Sequence, residues 1–385
     1  MHCKRLVAVG AFLASTASAQ TLLETLQQQP DLSLFTTLVS ALGNVTDLIN
    51  RLTPEDLRTV LVPNNEAITS FMAKNNITSP AEIPSERLQP FLNYHVLTKN
   101  ISKEDFEQPG GAIVETQLKA KEFALLKDEG GQVVFGHSKA AEDTEVAKAD
   151  AAVEVKSGLG ESVKIVKSNI QYDGGQLHVV DGLLTLPINC SRTISHLGAE
   201  KLVQYIRRVD LLDALDGTPG ATCFAPSDSA IQAALPVLEG MTDAEIIDAI
   251  HFHILLDPYY TSDLRDGQTV ETALKGRNVT VNIRDGKYFF NGVMASSTND
   301  IVRNGVAYVL DGIMPYEFNG TVEAPTSTST STSTIPNATG AAGGRTNATV
   351  STSAPSATDV QNGSTIIGVR SSVLFAGLVA VVMLL

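Results

Sequence analysis

GGQLHVVDGLLTLP, residues 174–187, returns in altered form as NGVAYVLDGIMP at residues 304–315. Each copy runs from a glycine turn through a short alternating strand into Asp-Gly, at Asp181-Gly182 and Asp311-Gly312, then through further apolar residues to a proline. Two earlier pairs of segments recur in the same order. VLVPNNEAI (60–68) answers CFAPSDSAI (223–231), and FLNYHVL (91–97) answers AIHFHIL (249–255). Three ordered echoes define a tandem duplication, here called repeat 1 and repeat 2.

Around the echoes the pattern mixes helix and strand. Pro30-Asp31 opens a helical stripe of Leu34, Phe35, Leu38, Val39 and Leu42 that Gly43 stops. Repeat 2 opens likewise with Leu202, Val203, Ile206, Val209 and Leu212 as one stripe and Gly217 beyond it. In each repeat an apolar strand then meets proline and a polar pair, Asn64-Asn65 or Ser227-Asp228, side chains able to accept from the unpaired amides of a helix start. Thr242 and Glu245 have capping-box spacing at the head of a helix running toward His251 and His253. Val279, Val281 and Ile283, a turn at Asp285-Gly286 and residues 288–290 spell a hairpin. Repeat 1 is the longer, with 86 positions from His95 to Asp181 against 58 from His253 to Asp311. Its surplus is assigned to residues 138–160, rich in Ala, Lys, Glu and Gly, as a solvated loop or hairpin extension.

The motif trio resembles the fasciclin-like domain, an extracellular module with an Ala-Pro-(Thr/Ser)-(Asn/Asp)-x-Ala helix start, a central Tyr-His and a closing Asn-Gly-x-x-His-x-x-Asp strand. Repeat 1 keeps Tyr94-His95 and His178 but has Val62 in place of the alanine and Gly174-Gly175 in place of Asn-Gly. Repeat 2 keeps Ala225-Pro226, Asn304-Gly305 and His253, with Phe252 in the tyrosine's place and Tyr308 in the second histidine's. The resemblance covers most of residues 31–316 and implies an α+β fold: two tandem fasciclin-like domains, each a β-sandwich or wedge with packed helices. It also implies an adhesion role for the Tyr-His region, which makes Tyr94, His95, Phe252 and His253 the candidate adhesion motif. The competing reading of His95 and His253, each followed by apolar residues, is a partly buried hydrogen-bonding side chain.

Both ends carry addresses. Lys4-Arg5, the apolar run 6–13 and Ala17-Ser18-Ala19 read as a secretory signal over residues 1–19. Residues 373–385 are uncharged and mostly apolar, short for a membrane span of about 20 residues. With Asn362-Gly363-Ser364 and a polar spacer ahead of them they read as a glycosylphosphatidylinositol (GPI) signal, attachment falling at Asn362. The expected division is therefore signal 1–19, domain 1 at 20–188, domain 2 at 189–318, a Ser/Thr-rich stalk at 319–362 and a propeptide at 363–385. Signals and stalk together point to a fungal surface protein. Sequons at Asn44, Asn76, Asn100, Asn189, Asn278, Asn319, Asn337 and Asn347 fit a heavily glycosylated one. Cys3 leaves with the signal, so Cys190 and Cys223 are the expected disulfide in an oxidising compartment; a buried Cys223 with Cys190 free is the alternative.

The formal net charge is −14, which makes nucleic acid and bare anionic membrane poor partners. Motif-borne catalysis is missing: there is no HExxH helix, GxSxG elbow, phosphate loop or CxxC pair, and no cofactor signature. His251 and His253 would share a face if they lay on a strand, as a metal pair needs, but no third ligand accompanies them. Arg265-Asp266-Gly267 and Arg284-Asp285-Gly286 are turns, their order differing from that of the Arg-Gly-Asp adhesion tripeptide. The expected function is a non-catalytic adhesion glycoprotein at the cell surface or wall, touching extracellular proteins, glycans or its own copies. A carrier or sensor of a small apolar ligand or glycan, and a structural wall component, are the alternatives.

Overall fold

The computed structural model describes residues 20–41, 58–79, 82–83, 85–138 and 152–315, all within one compact unit. The signal, the stalk, the anchor signal and the sequons at Asn44, Asn319, Asn337 and Asn347 lie outside the described residues.

Repeat 1 contributes β1 (Arg58–Pro63), β2 (Val96–Leu97), β3 (Ala112–Glu115), β4 (Val133–Ser138), β5 (Val153–Lys156), β6 (Ser162–Tyr172) and β7 (Gly175–Val180), in sheet order β2-β1-β7-β6-β5-β4-β3. The outer strands meet, Gln117 N donating to Val96 O (2.9 Å) and Thr98 N to Glu115 O (2.8 Å), so the sheet closes on itself. Repeat 2 repeats the plan with β8 (Ala221–Pro226), β9 (Ile254–Leu255), β10 (Thr269–Glu271), β11 (Asn278–Arg284), β12 (Lys287–Phe290), β13 (Val293–Val302) and β14 (Gly305–Leu310), ordered β10-β11-β12-β13-β14-β8-β9. Here Ala273 N closes the seam on Ile254 O (2.8 Å). Each repeat is a barrel-like wedge with helices along one side, and closure removes the sheet edges that another chain could extend.

The opening stretch and its echo supply an inner strand of each sheet, here called central because it is flanked on both sides. β7 lies parallel to β1 and β14 parallel to β8, placing Leu61 opposite His178 and Phe224 opposite Tyr308. Thus the echoes that define the duplication pair with one another in space. The glycine heading each strand is obligatory: Gly175 and Gly305 have φ of 133° and 138°. A Cβ at either would run into the carbonyl of Arg58 or Ala221.

These central strands are apolar on both faces because each face has its own core. In β1, Val60 and Val62 pack under the helices with Leu32, Phe35, Leu38 and Ile68, whereas Leu61 points into the barrel with Leu97, Phe106 and Val155. In β8, Cys223 and Ala225 face the helices and Phe224 faces the barrel. Period-two alternation sorts the side chains, each buried large aliphatic contributing roughly 1.5–3 kcal/mol.

The polar pair after each proline does two jobs. Asn64 and Ser227 cap their helices, accepting from Ala67 N (2.8 Å) and Ala230 N (3.3 Å). Asn65 and Asp228 reach back instead to latch the entry helix of the repeat, accepting from Leu34 N (2.9 Å) and Lys201 N (2.7 Å). The Thr242–Glu245 capping box and the β11–β12 hairpin form as expected, with Asp285 and Gly286 at φ 49° and 71° in the turn.

Four local features go beyond the sequence reading or refine it. An additional capped helix, Leu22–Gln27, precedes the first stripe. The stripe 202–212 breaks into Glu200–Arg208 and Leu212–Gly217, because Asp210 turns into the left-handed region at φ 58°. His251 lies in the helix Asp243–Phe252 and His253 caps it, so the two do not share a strand face. Finally, of the two readings of 138–160 the hairpin holds, β5 pairing antiparallel with β4, whereas the solvated one does not, since its described part is built into the fold. Val153 and Val155 of β5 are fully buried, and residues 156–160 meet repeat 2; residues 139–151 lie outside the described residues.

Candidate functional site

His95 and His253 hold the same place in their repeats, at the C-terminal end of a helix and just before a two-residue strand. His95 Nδ1–H donates to Phe91 O (2.9 Å), and its Nε2 accepts from Leu184 N (3.2 Å), beyond the Asp-Gly of the opening stretch. His253 repeats both bonds, with Ala249 O (2.8 Å) and Met314 N (3.0 Å). A carbonyl on one nitrogen and an amide on the other fix the neutral Nδ1–H tautomer. Burial pushes both pKa values down to about 4, against a smaller upward pull from the helix carbonyl. Each histidine is thus a neutral tie between the end of a helix and the chain leaving the central strand.

Their neighbours are equally enclosed. Tyr94 is fully buried and donates to Val133 O (3.0 Å), and Phe252 is fully buried in the barrel of repeat 2. His178 also sits inside, its Nε2–H donating to Ile101 O (2.8 Å) and its Nδ1 accepting from Asn169 N (3.0 Å). Burial lowers its pKa. Of the candidate adhesion motif, Tyr94, His95 and Phe252 have no exposed surface and His253 has 5%. A partner would have to open the core to touch them.

Cys190 and Cys223 lie side by side as buried thiols in the helical core of repeat 2. The neighbouring Cys223 thiol and burial together push the Cys190 thiol up. Among the described sequons, Asn76, Asn100 and Asn278 are exposed. Asn189 is different: half-buried, it donates from Nδ2 to Asp216 Oδ2 (3.3 Å), which also accepts from the sequon's own Ser191 hydroxyl (2.7 Å).

The feature that sequence reasoning missed is the contact between the repeats. Lys156 Nζ from β5 bonds to Asp300 Oδ1 (2.5 Å), Ser297 Oγ (3.1 Å) and Thr298 O (2.8 Å) of β13. Asp300 is fully buried, and Lys156 is 13% exposed. Burial raises the Asp300 pKa, and Lys156 pulls the other way. Gln132 Nε2 reaches Val302 O (3.1 Å), Leu125 N donates to Arg303 O (2.7 Å), and Val133 packs into the barrel core of repeat 2. A buried ion pair with backbone bonds around it holds the two wedges as one body.

Two hollows bear on ligand binding. An apolar void of about 50 Å³ lies under the helices of repeat 2 beside Cys223, Ile246 and His253. It is well below the ~150 Å³ of a cavity that holds benzene. A larger, mixed cleft of about 450 Å³ opens between the repeats, with Phe135 and His137 on one side and Tyr288 on the other. Among the described residues, no group of three or more His, Cys, Asp or Glu is gathered to hold a metal, and no helix is long and apolar enough to cross a membrane.

Comparison with known families places this architecture. The fasciclin domain matches residues 33–187 and again 198–315, and the chain belongs to that family. It is 32% identical over 164 residues to the fasciclin-like arabinogalactan protein CTB11 of Cercospora beticola, covering 42% of this chain and 43% of that protein. The match therefore spans less than half the length of that relative. The fasciclin-like arabinogalactan protein elcF of Phaeosphaeria nodorum is 23% identical over 306 residues, 78% of this chain and 90% of the other. Among solved structures, a FAS1 domain pair from the insect cell adhesion molecule Fasciclin I aligns at 17% identity and a TM-score of 0.34, over 73% of this chain and 97% of that one.

Proposed function

We propose that this protein is a GPI-anchored, glycosylated adhesion protein of the cell surface or wall, acting through non-catalytic contacts of its folded pair with extracellular proteins or glycans, self-association included. One observation carries the reading: the polar side chains that recur in both repeats are spent on the fold. His95 and His253 tie helix to strand, Asn64 and Ser227 cap, and Asn65 and Asp228 latch. What remains to act is a rigid surface, raised on residues 319–362 as a stalk. The fasciclin-like arabinogalactan proteins among its relatives support a glycoprotein of this kind. The small apolar void gives a carrier of an apolar ligand little room.

The test is display of the full chain, and of the stalk with residues 20–318 deleted, at equal density on cells. Aggregation or bead binding is expected only with the folded pair. Equal adhesion by the bare stalk contradicts the reading. For the anchor, peptide mapping is expected to find residues 363–385 removed; their retention in the mature protein contradicts it.

A further inference from the structure

We propose that the cleft between the repeats binds a neutral oligosaccharide. This rests on the adhesion reading and names the surface and the chemistry through which the folded pair makes contact.

The cleft has aromatic walls contributed by both repeats. His137 lies flat on Phe135, ring centroids 5.0 Å apart and planes 10° from parallel, with Phe135 itself buried. Half-buried His137 of repeat 1 and half-buried Tyr288 of repeat 2 both line the cleft. Flat rings backed by a rigid core offer apolar faces at little entropic cost, which suits the C–H face of a sugar ring. Between them the backbone is bare: Gly110 and Gly111 have φ of 86° and 69°, and a Cβ on Gly111 would strike the Phe135 ring.

The rim supplies hydrogen bonding without net charge. Asp285 and Lys287 stand exposed on the hairpin turn, one acceptor and one donor of opposite sign, with Ser296 and Thr298 of β13 beside them. Such a set satisfies hydroxyl groups and gains nothing from an anion, and the acidic chain as a whole repels one. A volume of about 450 Å³ falls within the ~300–1,000 Å³ of ligand sites. An extended peptide would instead want an open strand edge, and both sheets are closed. The site is preformed because Lys156, bonded to Ser297 and Thr298, locks β13 against repeat 1.

The experiment titrates the secreted full-length protein with laminarihexaose, cellohexaose, mannohexaose and chitohexaose, and with hexagalacturonate as an anionic control. Saturable binding of at least one neutral hexaose is expected, weakened about tenfold or more by His137→Ala and by Tyr288→Ala. Asp285→Asn, which keeps the left-handed turn, weakens it as well and guards against a variant that merely misfolds. Val237→Ser, on a helix of repeat 2 outside the cleft, leaves binding unchanged. Absence of neutral binding by folded protein, preference for the anionic hexamer, or full binding by folded cleft variants overturns the proposal. If the sugars fail to bind while displayed cells still aggregate through the folded pair, the cleft proposal falls and the adhesion reading stands.

Discussion

The two repeats keep one hydrogen-bond frame and fill part of it with different residues. Thr59 and Thr222 each hold the chain leaving the histidine strand, through Ile101 N (2.7 Å) and Tyr259 N (2.8 Å). In repeat 1 the carbonyl of Ile101 accepts from His178; in repeat 2 the carbonyl of Tyr259 accepts from Tyr308, at 2.7 Å. Asn169 and Asn299, both left-handed at φ 57° and 52°, accept from Lys103 N and Thr261 N. So an imidazole and a phenol do the same work at one position. The histidines at 95 and 253 are kept unchanged, as are the threonines and asparagines of the frame, and each histidine supplies both a donor and an acceptor on one rigid ring. A buried backbone amide and carbonyl left unpaired are costly, which explains why the frame outlasts its side chains.

Lowering the pH should strain the shared frame in both repeats at once. Each buried histidine, ordinarily near 6.5, is held at about 4 in the fold. Between these values the unfolded chain takes up a proton that the folded chain refuses, so stability is full above about pH 6.5 and falls toward pH 4. The expected loss is about 3 kcal/mol per histidine, and roughly twice that for the pair, read from urea midpoints against pH. Asp300, its pKa raised by burial, works in the opposite direction and softens the slope.

What joins the repeats is unique, so breaking it should separate them. Lys156→Ala leaves Asp300 buried without its partner, and a loss of about 3–5 kcal/mol is expected in chemical denaturation. The single transition should split in two. Replacing both residues, as Lys156→Met with Asp300→Leu, should recover most of the loss.

Repeat 2 alone carries the buried cysteine pair. We propose that Cys190 and Cys223 join in the secreted protein, and non-reducing peptide mapping should recover them linked. Reduction should then cost repeat 2 about 3–4 kcal/mol and leave repeat 1 untouched. Two alkylatable thiols in the unfolded, unreduced protein would refute the link. The smallest effect expected is that of Tyr308→Phe, which removes one buried donor and should cost about 1 kcal/mol in repeat 2. A similar loss in repeat 1 would show that the frames are not independent.

Much of this was legible because it is local. The echoes can be read by direct comparison of segments, and the caps at Asn64 and Ser227, the capping box at Thr242 and the Asp285-Gly286 turn depend on residues within four positions of one another. The ties were not legible, since His95 bonds to Leu184 across 89 positions and nothing around Leu184 announces an amide needing an acceptor. Residues 152–160 misled for a related reason. The Ala, Lys, Glu and Gly content of 138–160 reads as solvent-facing, yet Lys156 is paired with an aspartate 144 positions away that only the folded pair brings near. The break at Asp210 was hidden because apolar spacing runs through it.

The central claim is that the two recurring histidines are neutral architectural ties, and side-chain NMR titration of His95 and His253 in the folded protein tests it most directly. Both rings should hold the Nδ1–H tautomer at pH 6 and titrate only near pH 4, where unfolding begins. A midpoint near 6.5 for either ring in the folded state, or a proton on Nε2, would contradict it.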